Sequence, residues 1–138
     1  MEDDRNRIWA EALARGTEMS REILRAEGGV ITGPEIAQRL GMTPEAVEQK
    51  RGRNELFWLD TPDGNVYPLF QLSGDALLPG IREVLAAFQE PDPWARVWFM
   101  LSGDYRLDGR RPLDVLREGG RISDVVRAAN AYGEQGAA

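Results

Sequence analysis

The chain has 138 residues, 42% of them apolar and 29% charged, with a formal charge of -6. That is the make-up of a globular protein of one compact domain, or of two small ones sharing a core. It contains neither Cys nor His, which excludes disulfides, Cys/His zinc sites, cysteine nucleophiles and Ser–His relays.

No apolar run approaches the roughly 20 residues that cross a bilayer. The opening MEDDRNRIW is acidic and has no apolar signal-peptide core. The expected location is therefore the cytoplasm, with no membrane partner. Acids crowd the first turn of residues 2 to 15, and Ile8, Trp9, Ala12 and Leu13 share a helical face. A terminal amphipathic helix has little else to cover it, so this stripe is the expected contact of a homodimer. A second helical stretch covers 18 to 27, with Met19, Ile23 and Leu24 on one side and Gly28-Gly29 as its stop.

After the short apolar lead-in Val30-Ile31, residues 32 to 54 read TGPEIAQRLGMTPEAVEQKRGRN. Thr32 with Glu35 three positions later is a capping box, and Pro34 suits a first turn. Ile36, Ala37 and Leu40 face inward, and Gly41 ends the helix. Met42 packs the turn. Thr43 caps a second helix, with Pro44 at its first position and Ala46 and Val47 inward. Two short helices joined by a glycine turn predict a helix-turn-helix, whose second helix enters the major groove of DNA.

The candidate base readers on that helix are Thr43, Glu45, Glu48, Gln49 and Lys50; Gln suits adenine, and Lys or Arg suits guanine. Arg51, Arg53 and Asn54 lie at its end and are candidates for phosphate contact. The cluster is basic although the chain is acidic, because charge acts locally, within a Debye length of about 8 Å. The expected DNA site is an inverted repeat bound by paired copies.

LFWLD at 56–60 and VYPLFQL at 66–72 flank TPDGN, a hairpin signal centred on Asp63-Gly64. The hairpin is wing-like, and Pro68 restricts its second strand to an edge position or a bulge. Helices are predicted from Pro79 (Ile81, Val84, Leu85 and Phe88 buried), from Asp92-Pro93 (Trp94, Val97, Trp98 and Leu101 periodic), at Pro112 to Gly119, and at Ile122 to Tyr132, followed by a small polar tail. The predicted fold is mainly α: a helix-turn-helix with a β-hairpin over residues 1–75, and a helical bundle over 76–138 that binds a partner.

The last third reads DPWARVWFMLSGDYRLDGRRPLDVLREGGRISDVVRAANAYGEQGAA. Trp98-Phe99, then Leu107 and Gly109, then Pro112, Leu113, Asp114, Leu116 and Gly119, and a closing helix with Val125, Val126, Ala128, Ala129 and Gly133, follow one another in an ordered set. This set resembles the toxin-binding domain of Xre/MbcA/ParS-type antitoxins. The resemblance implies a DNA-binding antitoxin that neutralises a neighbouring RES-like toxin and represses its own operon. The family pairs this domain with a helical Xre-type unit, whereas here a helix-turn-helix followed by a hairpin precedes it. The exposed candidates for partner contact are Tyr105, Arg106, Arg110, Arg111, Arg117, Tyr132, Glu134 and Gln135, since Arg and Tyr are frequent interface anchors.

Each motif position also has a packing role. Pro112 presets a first helical turn, Leu113 and Leu116 share a face, and Asp114 complements the helix start. Ser102-Gly103-Asp104 and Leu72-Ser73-Gly74-Asp75 read as turns, with no base beside them. No residue set assembles a catalytic site, a metal site or a cofactor site, so neither catalysis nor a cofactor is expected. The competing readings are a transcriptional or phage-type regulator without a toxin, and an adaptor in which the helix-turn-helix is only structural.

Overall fold

The structure is a computed structural model and describes residues 18–137. The Ile8, Trp9, Ala12 and Leu13 stripe, and with it the predicted dimer contact, lies outside the described residues.

Glu18–Ala26 forms α1, which buries Leu24 completely. It ends where the Gly28 and Gly29 amides turn back onto the Arg25 and Leu24 carbonyls, both glycines having positive φ. The chain then enters β1 (Val30–Thr32), α2 (Gly33–Leu40) and α3 (Pro44–Gly52). Next come β2 (Leu59–Thr61) and β3 (Gly64–Pro68), a 3-10 turn at Leu69–Gln71, and the small hairpin β4 (Leu72–Ser73) and β5 (Ala76–Leu77). Four helices follow: α4 (Ile81–Ala87), α5 (Pro93–Leu101), α6 (Pro112–Arg117) and α7 (Ile122–Ala137). The fold is thus mainly helical, with a helix-turn-helix, a small antiparallel sheet and a C-terminal helical bundle.

The local signals of the helix-turn-helix act as their chemistry requires. The Thr32 amide donates to Glu35 Oε1 at 3.0 Å and the Glu35 amide to Thr32 Oγ1 at 3.3 Å, closing the capping box. Gly41 is left-handed with φ 68°, and the Met42 amide reaches back to the Ala37 carbonyl at 3.0 Å. Thr43 Oγ1 accepts from the Ala46 amide at 3.1 Å and starts α3. Ile36, Ala37 and Val47 then meet Leu56 and Tyr67 in a small core of their own.

The sheet corrects two expectations. Val30-Ile31 is a strand, not a lead-in, and the sheet order is β1-β3-β2. The second strand of the hairpin is therefore central, although Pro68 was expected to hold it at an edge or a bulge. Pro68 is tolerated because it is the last residue of β3, opposite Val30 at the start of β1. There its missing N–H interrupts no ladder beyond it. The hairpin closes more tightly than its apolar runs imply: Thr61 pairs with Gly64, and Leu56 to Trp58 lie outside the strand. The tail differs too. α7 runs on through Gly133 to Ala137, so Glu134 and Gln135 belong to helical backbone; no proline interrupts it, and glycine weakens a helix by only about 1 kcal/mol.

The larger core crosses residue 75. Leu24, Phe57, Leu59, Val66 and Phe70 join Ile81, Val84, Val97, Phe99, Met100, Leu113, Leu116, Val125 and Ala128 in one cluster. Leu107, Pro112, Leu113 and Leu116, which carry the resemblance, are buried here. The start of α4 lies so close to α6 that a Cβ on Gly80 (φ 99°) would sit 2.7 Å from Leu116 Cδ2. Such contact explains a glycine at this position.

A charged clamp joins α1 to α6. Glu27 accepts from Arg111 at 2.7 Å and from Arg117 at 2.5 Å, and Arg111 also grips Asp114 at 2.8 and 2.9 Å. Burial pushes the Glu27 carboxyl up, but the Arg111 and Arg117 hydrogen bonds and charges outweigh it and hold the group below its ordinary 4.5. A depressed carboxyl stabilises the fold above its unfolded-state value, and that contribution fades as pH falls through the folded value. Glu27→Gln is expected to cost about 1–2 kcal/mol at neutral pH. The variant should also lose less stability than the parent on acidification below pH 4.5. Urea midpoints measured at neutral and acid pH check this; parallel losses in the two proteins would refute it.

Candidate nucleic-acid interface

On α3, Thr43, Glu45, Glu48 and Gln49 are exposed, because Val47 alone of this helix is buried beneath them. Glu48, expected to face a groove, instead braces the wing. Its Oε1 accepts from Arg51 Nη2 at 2.9 Å. Its Oε2 lies 3.4 Å from the Tyr67 hydroxyl and 3.5 Å from Asn65 Nδ2, both on β3. The Arg51 hydrogen bond is the main cause holding the Glu48 carboxyl below its usual range. Burial, then the Glu48 charge, pushes the Tyr67 phenol up to about 12, so it stays a hydrogen-bond donor at any physiological pH. A groove of about 290 Å³ separates the first turns of α2 and α3 from the hairpin, with Pro34 and Pro44 on one side and Asp63 and Asn65 on the other.

The cations of this region differ sharply in their freedom. Arg51 forks onto Glu48 and lies 5.0 Å over the Trp58 ring, which makes it a brace of the wing more than a free phosphate ligand. Lys50 pairs with Glu55 at 3.4 Å. Arg39, on α2, reaches Asp75 and the Gly74 carbonyl. Arg53 is exposed, and its side-chain Nε donates to the Gln49 carbonyl at 3.4 Å. Asn54 is left-handed with φ 58°, and its Oδ1 accepts from Arg96 Nη1 at 3.1 Å, a bond from α5 that sets the end of α3 against the bundle. The eight candidate DNA residues thus occupy one helix, its cap and its exit. Within them, Lys50 and Arg51 are neutralised by carboxylates, whereas Thr43, Glu45, Gln49 and Arg53 face solvent.

No protein-family model matches the chain, and no relative was found among curated proteins. Among solved structures, the chain is similar to the NMR structure of Rv2175c, with a TM-score of 0.58 and 22% identity over 75% of this chain and 80% of that one. At that identity the likeness is one of fold, and it spans most of both chains.

The predicted partner residues separate into two groups. Tyr105 is 70% exposed, with the Arg106 guanidinium 4.6 Å over its ring; Arg106 also pairs with Asp104. Arg110 pairs with Glu118 at the surface. Arg111 and Arg117 belong to the Glu27 clamp. Tyr132 is half-buried, its ring 5.2 Å from that of Phe99, and burial raises its phenol. The side chains of Glu134 and Gln135 lie outside those described. Tyr105 and Arg110 are therefore exposed partner candidates on the segment between α5 and α6, with Arg106 partly buried between Tyr105 and Asp104. Among the described residues no helix is long and apolar enough to cross a membrane, and no group of three His, Cys, Asp or Glu is placed to hold a metal ion.

Residues that sequence reasoning passed over are Trp58, Asn65 and Tyr67, which anchor Arg51 and Glu48. Each read only as part of an apolar strand or a turn. A Tyr and an Asn two positions apart, and so on one face of a strand, were the available signal, but only the fold says which helix that face meets.

Proposed function

We propose that this protein is a sequence-selective DNA-binding regulator, with α3 as the reading helix and the β2–β3 hairpin as a wing. The observation that carries the reading is the brace at Glu48. It locks the hairpin to α3 while leaving Gln49 and Glu45 turned to solvent. A rigid helix with free polar side chains beside a fixed wing suits insertion into a major groove with a flanking contact. Gln49 is the expected reader of adenine. Because Lys50 and Arg51 are engaged with carboxylates, few phosphates are neutralised and the salt dependence should be shallow. The reading places the protein in the cytoplasm, acting as a homodimer on an inverted repeat.

The narrower reading is an antitoxin. The C-terminal resemblance supports it, with the surface around Tyr105 and Arg110 as the partner-facing side and a RES-like toxin from the adjacent gene as the partner. Both readings are stoichiometric binding, without catalysis or cofactor.

Gel-shift titration of the protein against the DNA upstream of its own gene tests the first. Gln49→Ala is expected to cost about 1–3 kcal/mol on the preferred sequence, with little change on mixed-sequence DNA. Absence of binding by the parent protein at low salt would sink the regulator. Co-expression with the neighbouring gene product tests the second. Failure to co-purify removes the antitoxin role and leaves the regulator standing.

A further inference from the structure

Most arginines of the described residues are matched to a carboxylate. Arg53, Arg82, Arg96 and Arg121 make no salt bridge among them. Three of these four converge on one place. A cleft of about 710 Å³ opens where α3 ends against α4, and Arg53, Asn54, Arg82, Glu83, Leu85 and Phe88 line it. Arg96 supports its wall from behind: it donates to Asn54 and to the Glu90 carbonyl, and its guanidinium lies 5.5 Å over the Phe88 ring.

The charges facing the cleft are unequal. Glu55 also lines it but is held by Lys50, and Arg96 lies in the field of Glu90 and Asp92. Arg53 and Arg82, both exposed, therefore stand against Glu83 alone. One uncompensated positive charge over a partly apolar floor is what a singly charged phosphodiester with its sugar requires. The cleft is continuous with α3, since Arg53 and Asn54 are the residues on which that helix ends.

We propose that this cleft takes a backbone phosphate of duplex DNA outside the bases read by α3, with Arg53 and Arg82 as its donors. The inference rests on the DNA-binding reading, and extends the interface from the helix-turn-helix onto the bundle. Arg82 ties the second half of the chain directly to DNA, so docking of α4 against α3 becomes a condition of affinity as well as of stability. Glu83 opposes the phosphate and limits non-specific binding.

Fluorescence anisotropy with a mixed-sequence duplex of about 24 base pairs, titrated at several salt concentrations between roughly 50 and 200 mM, provides the test. Arg82→Ala should weaken binding several-fold and reduce the slope of log K against log salt by about 0.9, the value of one phosphate contact. Arg121→Ala removes an exposed arginine that neither lines nor backs the cleft, and should leave the slope unchanged. Glu83→Gln should tighten binding. All three positions are exposed, and matched melting curves verify that the variants fold. An unchanged slope in Arg82→Ala, with parental protein that does bind, overturns the proposal while sparing the regulator. Equal losses in Arg82→Ala and Arg121→Ala overturn it as well, since bulk charge would then explain both. A hexaglutamate peptide that binds the parent and not Arg82→Ala, with the DNA slope unmoved, assigns the cleft to an acidic protein segment instead. If the parent binds no duplex at all, the DNA reading itself falls, and the cleft's assignment with it.

Discussion

Replacing Gln71 by Leu is expected to destabilise the fold by about 3–5 kcal/mol. Gln71 is 0% exposed and is the buried polar residue of the described chain. Its Oε1 accepts from the Phe57 amide at 2.8 Å, and its Nε2 donates to the Phe57 and Pro68 carbonyls at 2.9 and 3.0 Å. Residues 55 to 58 make no strand, so the side-chain amide does for Phe57 what a neighbouring strand would do. Leucine matches the volume but leaves three backbone groups without partners where water does not reach. Proteins of this kind have only about 5–15 kcal/mol in total, so the loss should appear as a large fall in the urea midpoint. A change below about 1 kcal/mol would mean that water or backbone movement satisfies Phe57 instead.

Phe57→Ala is expected to cost a comparable amount, about 3–5 kcal/mol, through the cavity it leaves. Its ring is 1% exposed and begins a chain of edge-on contacts. Phe70 lies at 5.3 Å and Phe88 at 6.2 Å from it, and Phe88 in turn touches Phe99 at 5.3 Å and Tyr132 at 6.4 Å. The first two rings come from the helix-turn-helix half and the last three from the bundle. Each edge-on pair adds about 0.5–1.5 kcal/mol beyond its area, so the row holds the halves together. Unfolding should therefore remain one transition, in the parent and in Phe57→Ala, when followed by both tryptophan fluorescence and far-ultraviolet dichroism. Two separated transitions in the parent would show that the halves fold independently and that the aromatic row is not a shared core.

On the proposed DNA-binding reading, these two positions also bear on DNA affinity. Gln71 holds Phe57, Phe57 packs on Phe88, and Arg96 covers the Phe88 ring while binding Asn54 at the exit of α3. If α3 reads DNA and Arg82 meets a phosphate as proposed, a variant that folds but is loosened there should lose the Arg82 contribution to the salt slope before it loses selectivity at Gln49. That order follows because the first depends on the relation between the halves and the second on α3 alone.

What the sequence determined by itself lies within a few residues along the chain. Thr32 with Glu35, Gly41 and Thr43 with Pro44 act over three or four positions through hydrogen bonds that a single helix turn closes, so the helix-turn-helix was legible residue by residue. Pro93, Pro112 and the apolar periodicity around Val97 and Leu113 announced the later helices for the same reason. The mainly helical class with a hairpin follows from these alone.

Tertiary structure decided whatever depends on which surfaces meet. Val30-Ile31 became a strand, and β3 a central one, because a partner 36 positions away was available; nothing in three residues specifies that pairing. Arg111 and Arg117 look like interface arginines until Glu27, from the other end of the chain, is brought between them. Lys50 and Arg51 look like free cations of a reading helix until Glu55, Glu48 and Trp58 are placed around them. Arg82 carries no signal of its own in the sequence, and it joins Arg53 only where α4 meets the end of α3. Charge is a property of residue type, whereas its availability depends on neighbours in space, and the fold alone supplies those neighbours.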